Sequence, residues 1–380
     1  MYKRQSHYND NPETHTWKAG GAWSPIRGIT IRGTYSYAVR VPNFGELYSP
    51  FTVTSGAAIA DPCSATYVNA DPAYQANCAA VLASRGGLPL PYPNTNRPNL
   101  MAGGNTDLSP EKSRSYNIGV VLQPAFLRGF DVTVDYWKIS IDDVITTLSA
   151  TTILNNCYGG IEAYCGFVTR NPTGTGYFAG YNAQNDPTGA YLLDGTILSA
   201  YNNRYTNLAS LEARGIDIGA NYRADIGPGK LRVGFAGQYL LNQITVAQVG
   251  TAGLDYAGQY RTPRFRGTLM TSYSIGKLTF GVNTRFIGAS QFDPTKSDEY
   301  YQFQDIPAYV YNDVTVNYRV TEQLTLSLGV RNIADTDVPQ QLYNNTVSPH
   351  LANGSTSGLG GAAYYDSIGR YVFGKLDVNF

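Results

Sequence analysis

The sequence is poor in charge, in histidine and in long apolar runs. Charged residues make up 15% of 380 residues, against roughly 25% in ordinary soluble domains, and Lys+Arg balance Asp+Glu at 28 each. A zero net charge lacks the basic patch that phosphate backbones require, so nucleic acid is not an expected partner. The histidines are His7, His15 and His350, none beside a Ser or Asp motif suited to nucleophilic or acid–base catalysis. The acidic pairs Asp142-Asp143 and Asp298-Glu299 read as solvated or cation-binding rim groups, so no enzyme is expected and no cofactor or metal is assigned. No run of 18 apolar residues occurs, which excludes a transmembrane helix. The mildly negative mean hydropathy leaves a membrane-spanning β architecture open, because such strands show lipid only every second side chain. Met1 to Gln5 has no apolar h-region of a signal peptide, and the chain reads as cut from something longer.

Cysteine is scarce as well: Cys63, Cys78, Cys157 and Cys165. They form two local pairs inside Gly/Pro/Asn-rich stretches, without the C-x-x-C spacing or His neighbours of a zinc site. They read as Cys63–Cys78 and Cys157–Cys165 disulfides, with free thiols as the other reading; such bridges imply an oxidising compartment.

What the sequence has in excess is tyrosine, 31 residues, and glycine, 40 residues. Tyrosine suits long boundaries between wet and apolar surroundings, since the ring seeks apolar contact and the hydroxyl a partner. The dominant pattern is period 2, the signature of strands with two unlike faces. It gives eleven predicted strands: His15 to Trp23, Gly28 to Val39, Lys112 to Gln123, Phe130 to Ile145, Thr206 to Arg223, Lys230 to Val246, Gln259 to Tyr273, Lys277 to Phe286, Ala308 to Val320, Gln323 to Arg331 and Gly369 to Phe380. In the ninth and tenth, Val314, Val316, Tyr318, Leu324, Leu326, Leu328 and Val330 oppose Asp313, Thr315, Asn317, Arg319, Thr325, Ser327 and Arg331. In the fourth, the apolar side chains shift from Val132, Val134 and Tyr136 to Trp137, Ile139 and Ile141, which predicts a bulge near Trp137 or Lys138. No helical period of useful length is read.

Connections alternate in length. Those after the odd strands are about two to seven residues, whereas Arg40 to Glu111 takes about 70 and Thr146 to Tyr205 about 60, lengths rare in soluble domains. Strict alternation puts tight turns at one end of a sheet and long loops at the other, as in outer-membrane barrels with short periplasmic turns. By that polarity the last strand ends at the periplasmic rim and the first runs downward from the outside, so an odd number of strands is expected upstream.

Specific motifs sharpen this. The last strand, ending on Phe380, resembles the closing strand of bacterial outer-membrane β-barrels. Arg32-Gly33-Thr34-Tyr35-Ser36 followed by Arg40-Val41-Pro42-Asn43-Phe44-Gly45-Glu46-Leu47-Tyr48 resembles the strand-then-loop motif of TonB-dependent outer-membrane receptors. Leu108-Ser109-Pro110-Glu111-Lys112-Ser113 is similar to that family's L-x-P-E-x-S lead-in, and Val330-Arg331-Asn332-Ile333-Ala334-Asp335 with Gly369-Arg370-Tyr371 to its C-terminal signature. These residues also have a plain physical reading: Pro42 and Pro110 break strand pairing at the lip, Arg40, Glu46, Glu111 and Arg114 pair with one another or with water, and Asn332 and Asp335 shape a strand exit. None is assigned as a substrate ligand.

The resemblance implies an all-β, antiparallel transmembrane barrel of which residues 1–380 hold about 11 C-terminal strands of an expected 22, open or half-barrel as a fragment, with the plug, the TonB-contacting segment and the N-terminal strands absent. It implies active import of a scarce solute, of the siderophore, cobalamin or oligosaccharide class, powered through TonB. The expected partners are outer-membrane lipid and lipopolysaccharide, the TonB complex, the barrel-assembly machinery at the last strand and an extracellular small-molecule ligand, in the outer membrane of a Gram-negative bacterium. The alternative function is a passive porin-like channel. Tyr158, Tyr164, Tyr177, Tyr181, Tyr191 and Tyr201 either stack on such a ligand or pack the loops.

Overall fold

The structure, a computed structural model, describes residues 2–8, 11–55, 76–78, 99–170, 198–246, 252–292, 305–338, 364–366 and 368–378. Its strands are β1 (Tyr2–Tyr8), β2 (Asn11–Ile26), β3 (Ile29–Arg40), β4 (Thr52–Ser55), β5 (Asn99–Ala102), β6 (Glu111–Leu122), β7 (Phe130–Thr146), β8 (Val168–Arg170), β9 (Leu198–Asn202), β10 (Thr206–Ile226), β11 (Gly229–Val246), β12 (Leu254–Asp255), β13 (Phe265–Ile275), β14 (Leu278–Ile287), β15 (Ser290–Gln291), β16 (Asp305–Ile306), β17 (Tyr309–Arg319), β18 (Leu324–Arg331) and β19 (Tyr371–Val378). One 13-stranded sheet takes them in the order β1-β2-β3-β6-β7-β10-β11-β13-β14-β17-β18-β19, with β12 on β11. Neighbours in this order follow one another in the chain apart from the short loop strands, an antiparallel meander. β1 and β19 stand at its two ends.

Alternation dictates two unlike faces. Val316 pairs with Leu328 and Tyr318 with Leu326, and across the next ladder Leu326 pairs with Leu376 and Val330 with Val372. These side chains stay open: Leu328 is 56% and Val372 75% exposed. On the other face Thr315 opposes Gly329 and Asn317 opposes Ser327. Large apolar side chains left uncovered over many strands are foreign to a water-surrounded monomer.

The chain divides into two compact units. The first is Met1–Val39, Lys112–Asp142 and Ala209–Phe380, and the second Arg40–Glu111 and Asp143–Leu208. The second unit has a conventional buried core. A helix at Ala150–Tyr158 is capped by Ser149, whose hydroxyl accepts from the Thr152 N–H at 3.1 Å, and Ile153, Leu154, Cys157 and Tyr158 bury one side of it with Tyr164 and Cys78. Cys157 and Cys165 are bridged, with Cα atoms 4.8 Å apart. Cys78 is also disulfide-bonded; its expected partner Cys63 lies outside the described residues. A small sheet in the order β4-β5-β9-β8 completes the unit.

Three expectations need correction. A strand precedes the expected first one: β1 pairs with β2 from Tyr2↔Lys18 to Tyr8↔Asn11. Its sequence, YKRQSHY, carries polar residues at nearly every position, so no apolar face announces it. Among the described residues the meander therefore has twelve strands in sequence, two successive connections at its start are short, and the odd number of strands expected upstream no longer follows. The predicted bulge near Trp137 or Lys138 is absent from the β6–β7 ladder, which runs unshifted from Lys112↔Asp142 to Leu122↔Val132. Trp137 instead lies on the polar face, where a Cβ at Gly215 would come within 2.7 Å of its Cζ2 atom; the ring fills the place of the missing side chain. In the β10–β11 ladder a register shift falls at Arg214/Gly215. Finally, the helix Ala150–Tyr158 was not expected, because Thr151, Thr152, Asn155 and Asn156 are weak helix formers and tertiary burial outweighs them.

Candidate functional site

On the polar face of the first unit, hydrogen bonds cross from strand to strand. Arg32 of β3 grips Asp135 of β7 through two bonds, Nε to Oδ1 at 2.9 Å and Nη2 to Oδ2 at 2.5 Å, and Asp135 is buried. Trp137 donates its indole N–H to Asp217 of β10 at 3.1 Å, and Gln238 of β11 donates to the same oxygen at 3.1 Å. Arg266 of β13 donates to Gln238 Oε1 at 3.0 and 2.7 Å and, through Nη1, to the Tyr364 hydroxyl at 2.6 Å. Its guanidinium also lies 5.1 Å from the Tyr364 ring centroid, a cation–π contact.

The next arginine on this face is Arg285 of β14, set by the pairing Thr268↔Arg285. It stands 3.4 Å from Asp366 and 5.0 Å from the Tyr311 ring centroid. Arg331 at the end of β18 sits 5.6 Å from the Tyr371 ring. Two hollows open here, one of about 580 Å³ between Asp217, Gln238, Arg266 and Tyr364, the other of about 440 Å³ between Asp313, Arg331, Asp366 and Tyr371; Arg285 borders both. The segment 364–366 reaches this face from the connection before β19. Tyr365 is buried with Tyr260, Ile287, Ile306 and Tyr311, and its ring meets Tyr309 edge to face at 5.4 Å. The arrangement sets cations and aromatic rings side by side on the polar face. No cluster of His, Cys, Asp and Glu suited to a metal occurs among the described residues.

The motif residues singled out in the sequence gather in two places. In the second unit, Arg40 at the end of β3 binds Glu111 twice, at 2.5 and 2.7 Å, and Glu46 twice, at 3.1 and 3.0 Å. Glu46 belongs to the short helix Phe44–Tyr48 that follows Pro42, where Asn43 and Glu46 form a reciprocal capping box. Leu47 packs with Leu108 and Ile145, and Glu111, reached through Pro110, also accepts from the Ile145 N–H at 2.8 Å. Burial raises the Glu111 pKa, but the bonds from Arg40 and Ile145 outweigh it and hold the carboxyl below its ordinary range. Ser113 lies in β6, opposite Ile141.

Around the exit of β18, Asn332 is fully buried with φ 47. Its N–H donates to Asp313 at 2.9 Å, its side-chain amide donates to Thr336 O at 2.9 Å, and its amide oxygen accepts from the Thr336 N–H at 2.9 Å. Gly369, with φ 78, brings the Arg370 N–H to Asp335 Oδ1 at 2.8 Å. These motif residues bind one another and hold strand exits. Phe380 lies outside the described residues, as do Tyr177, Tyr181, Tyr191 and the side chain of Tyr201; Tyr158 and Tyr164 are fully buried and pack their loop. Sequence reasoning did not single out Arg266, Arg285, Tyr364 or Asp366. The two arginines had a signal, each falling on the polar phase of a strand, whereas nothing local marks 364–366.

Comparison with known proteins accords with this architecture. A family model described as "TonB dependent receptor-like, beta-barrel" matches residues 2–333. Among solved structures, a ferric enterobactin receptor of Pseudomonas aeruginosa superposes with a TM-score of 0.59 at 13% identity, covering 100% of this chain and 42% of its own. The siderophore receptor PirA of Acinetobacter baumannii gives 0.59 at 13% identity, covering 100% and 43%. No curated protein matches. The chain thus spans less than half the length of these receptors, and likeness at such identity speaks for the fold alone. It is the family match over most of the sequence, on a meander with one apolar and one polar face, that assigns the chain to the TonB-dependent receptor β-barrel family, whose members reside in the Gram-negative outer membrane.

Proposed function

We propose that this chain supplies part of the wall of an active-transport receptor that imports a scarce solute across the outer membrane with energy delivered through TonB. The observation that carries the reading is the polar face, where Arg266, Arg285 and Arg331 stand beside Tyr364, Tyr311 and Tyr371 while the opposite face is apolar and open. With the apolar face against lipid and lipopolysaccharide, the polar face lines the lumen. Of the siderophore, cobalamin and oligosaccharide classes, a ferric siderophore suits this lining best: an anionic chelate with aromatic groups meets guanidinium and tyrosine together.

The chain corresponds to 42% of the ferric enterobactin receptor it superposes on. In this reading the plug, the TonB-contacting segment and the remaining strands belong to other parts of the receptor, and the terminal strand serves recognition by the barrel-assembly machinery. The test is uptake of a labelled ferric siderophore by cells carrying the full-length receptor under iron limitation. Import should stop when the proton gradient is collapsed or TonB is deleted, and Arg266→Gln with Arg285→Gln should weaken surface binding about tenfold. Uptake indifferent to the gradient would make the protein a passive channel.

A further inference from the structure

Two of the arginines that the polar face offers to a solute are already engaged by the chain itself. Arg266 donates through Nη1 to the Tyr364 hydroxyl at 2.6 Å, and Arg285 through Nη2 to Asp366 Oδ2 at 3.4 Å. The strand register explains how one short segment reaches both. Arg285 pairs with Thr268, two residues along β13 from Arg266, so the two guanidinium groups stem from diagonal neighbours on one face. Tyr364 and Asp366 are likewise two residues apart and take one arginine each. Tyr365 between them anchors the segment, buried with Tyr260, Ile287, Ile306 and Tyr311. Asp366 Oδ1 accepts from the Ile368 N–H at 3.2 Å, which leaves Oδ2 for Arg285.

These contacts differ from the arginine pairs that hold the fold. Arg32 with Asp135 and Arg40 with Glu111 are two-pronged, with bonds of 2.5 to 2.9 Å, the close fork of guanidinium on carboxylate. Among the described residues Arg285 meets Asp366 through one long bond, and Arg266 meets in Tyr364 a neutral hydroxyl. The Asp366 side chain is 11% exposed, so its carboxylate has given up water for a partner it engages loosely. An anion from solution, able to place two oxygens on one guanidinium, offers Arg285 more than Asp366 does. The segment also divides the space: Tyr364 borders the hollow of about 580 Å³, Asp366 that of about 440 Å³, and Arg285 both.

We infer that Tyr364 and Asp366 are an internal stand-in for the solute, an autoinhibitory contact in which a phenol and a carboxylate of the chain hold Arg266 and Arg285 until an anionic solute displaces them. Displacement frees both guanidinium groups at once and joins the two hollows. Affinity is then set by competition, because the solute meets only the fraction of receptors whose arginines are released. The inference rests on the reading of this face as the solute path and deepens it: Asp366 makes negative charge the condition for taking Arg285.

The experiment measures binding of a ferric tris-catecholate, a trianionic chelate, to the purified full-length receptor by calorimetry. Asp366→Asn, which keeps the shape of the side chain and removes its charge, should tighten binding on the order of fivefold, and Asp366→Glu should not tighten it. Should Asp366→Asn fail to fold, Tyr364→Phe, which removes only a hydroxyl, should tighten binding about threefold. In the native protein, hydrogen exchange at residues 364–366 should quicken several-fold when the chelate is bound. Unchanged or weaker binding in the folded variants, or slower exchange at 364–366, would overturn the inference and make the segment a fixed part of the site. If binding is lost in Arg266→Gln with Arg285→Gln but does not tighten in Asp366→Asn, this inference alone fails. Absence of binding in the native protein and every variant, or binding that ignores the double arginine change, would sink the solute-path reading itself.

Discussion

The two units of this chain solve the same problem for different solvents. In the second unit, Ile153, Leu154, Tyr158 and Tyr164 are fully buried beneath a capped helix and a disulfide, as in a small domain folded in water. In the first, a sheet of long strands leaves Leu328, Leu376 and Val372 open and draws its ordered polar contacts to the other face. The hydrophobic effect folds the second unit by removing apolar area from water. The first unit cannot gain in that way from its open face, and its backbone ladder is the means of satisfying amides where hydrocarbon offers no partners. One sequence therefore carries two meanings of an exposed leucine: a defect in the second unit and a requirement in the first.

The comparison is broken most directly in the water-like core. Leu154→Ala should cost about 2 to 5 kcal/mol in the local opening free energy of residues 150–168, read by hydrogen exchange on the full-length protein, with the β17–β18 ladder unaffected. A loss spread over both units would mean they do not fold as separate bodies. In the sheet, Leu326→Arg or Val316→Arg should cost about 2 to 4 kcal/mol at mid-membrane depth, while Thr325→Arg and Thr315→Arg on the polar face should be near neutral in folding titrations into lipid vesicles. Equal sensitivity on both faces would contradict the assignment of one face to lipid.

The sheet was largely legible from sequence because its code is local. From Val314 to Tyr318 in β17 and from Leu324 to Val330 in β18 each second residue is apolar, and the expected strands, Ala308 to Val320 and Gln323 to Arg331, differ from those observed by a residue at each inner end and none or one at the outer. β1 was not legible, since Tyr2–Tyr8 shows no apolar phase and is fixed by its ladder with β2. Trp137 misled for a related reason: an aromatic on the polar phase looks like a slipped register, yet it covers Gly215, nearly eighty residues away in sequence, and donates to Asp217. The pairing of Arg40, Glu46 and Glu111 was anticipated as one reading of rim charges. The delivery of Tyr364 and Asp366 to Arg266 and Arg285 depends on how a long connection returns, which composition does not encode.

The Cys157–Cys165 bridge sharpens the contrast, because it closes a loop with a sequence separation of 8 within the water-like unit. Loop-closure entropy for so short a loop is about 2.5 kcal/mol. Reduction, or the double change to Ser, should lower the opening free energy of the helix Ala150–Tyr158 by about that amount and leave exchange in β17 and β18 unchanged. Non-reducing peptide maps of the full-length protein should show the linked pair; two free thiols there would remove the argument for an oxidising compartment.

The smallest effect belongs to Glu111. Its carboxylate is held by Arg40 and the Ile145 N–H, and its folded pKa lies below its ordinary value. A depressed acid stabilises the fold above its unfolded pKa, and the contribution disappears as pH falls through the depressed folded value. Stability of the second unit should therefore be flat at neutral pH and decline below the usual glutamate range. Arg40 is half-exposed, so solvent screening limits the effect to about 1 kcal/mol or less. Glu111→Gln should remove most of this acid dependence, measured as local exchange around Ile145 and Leu47 between neutral and acidic pH. An unchanged acid limb in the Gln variant would place the titrating group elsewhere, and the triad of Arg40, Glu46 and Glu111 would then hold its helix by packing of Leu47 rather than by charge.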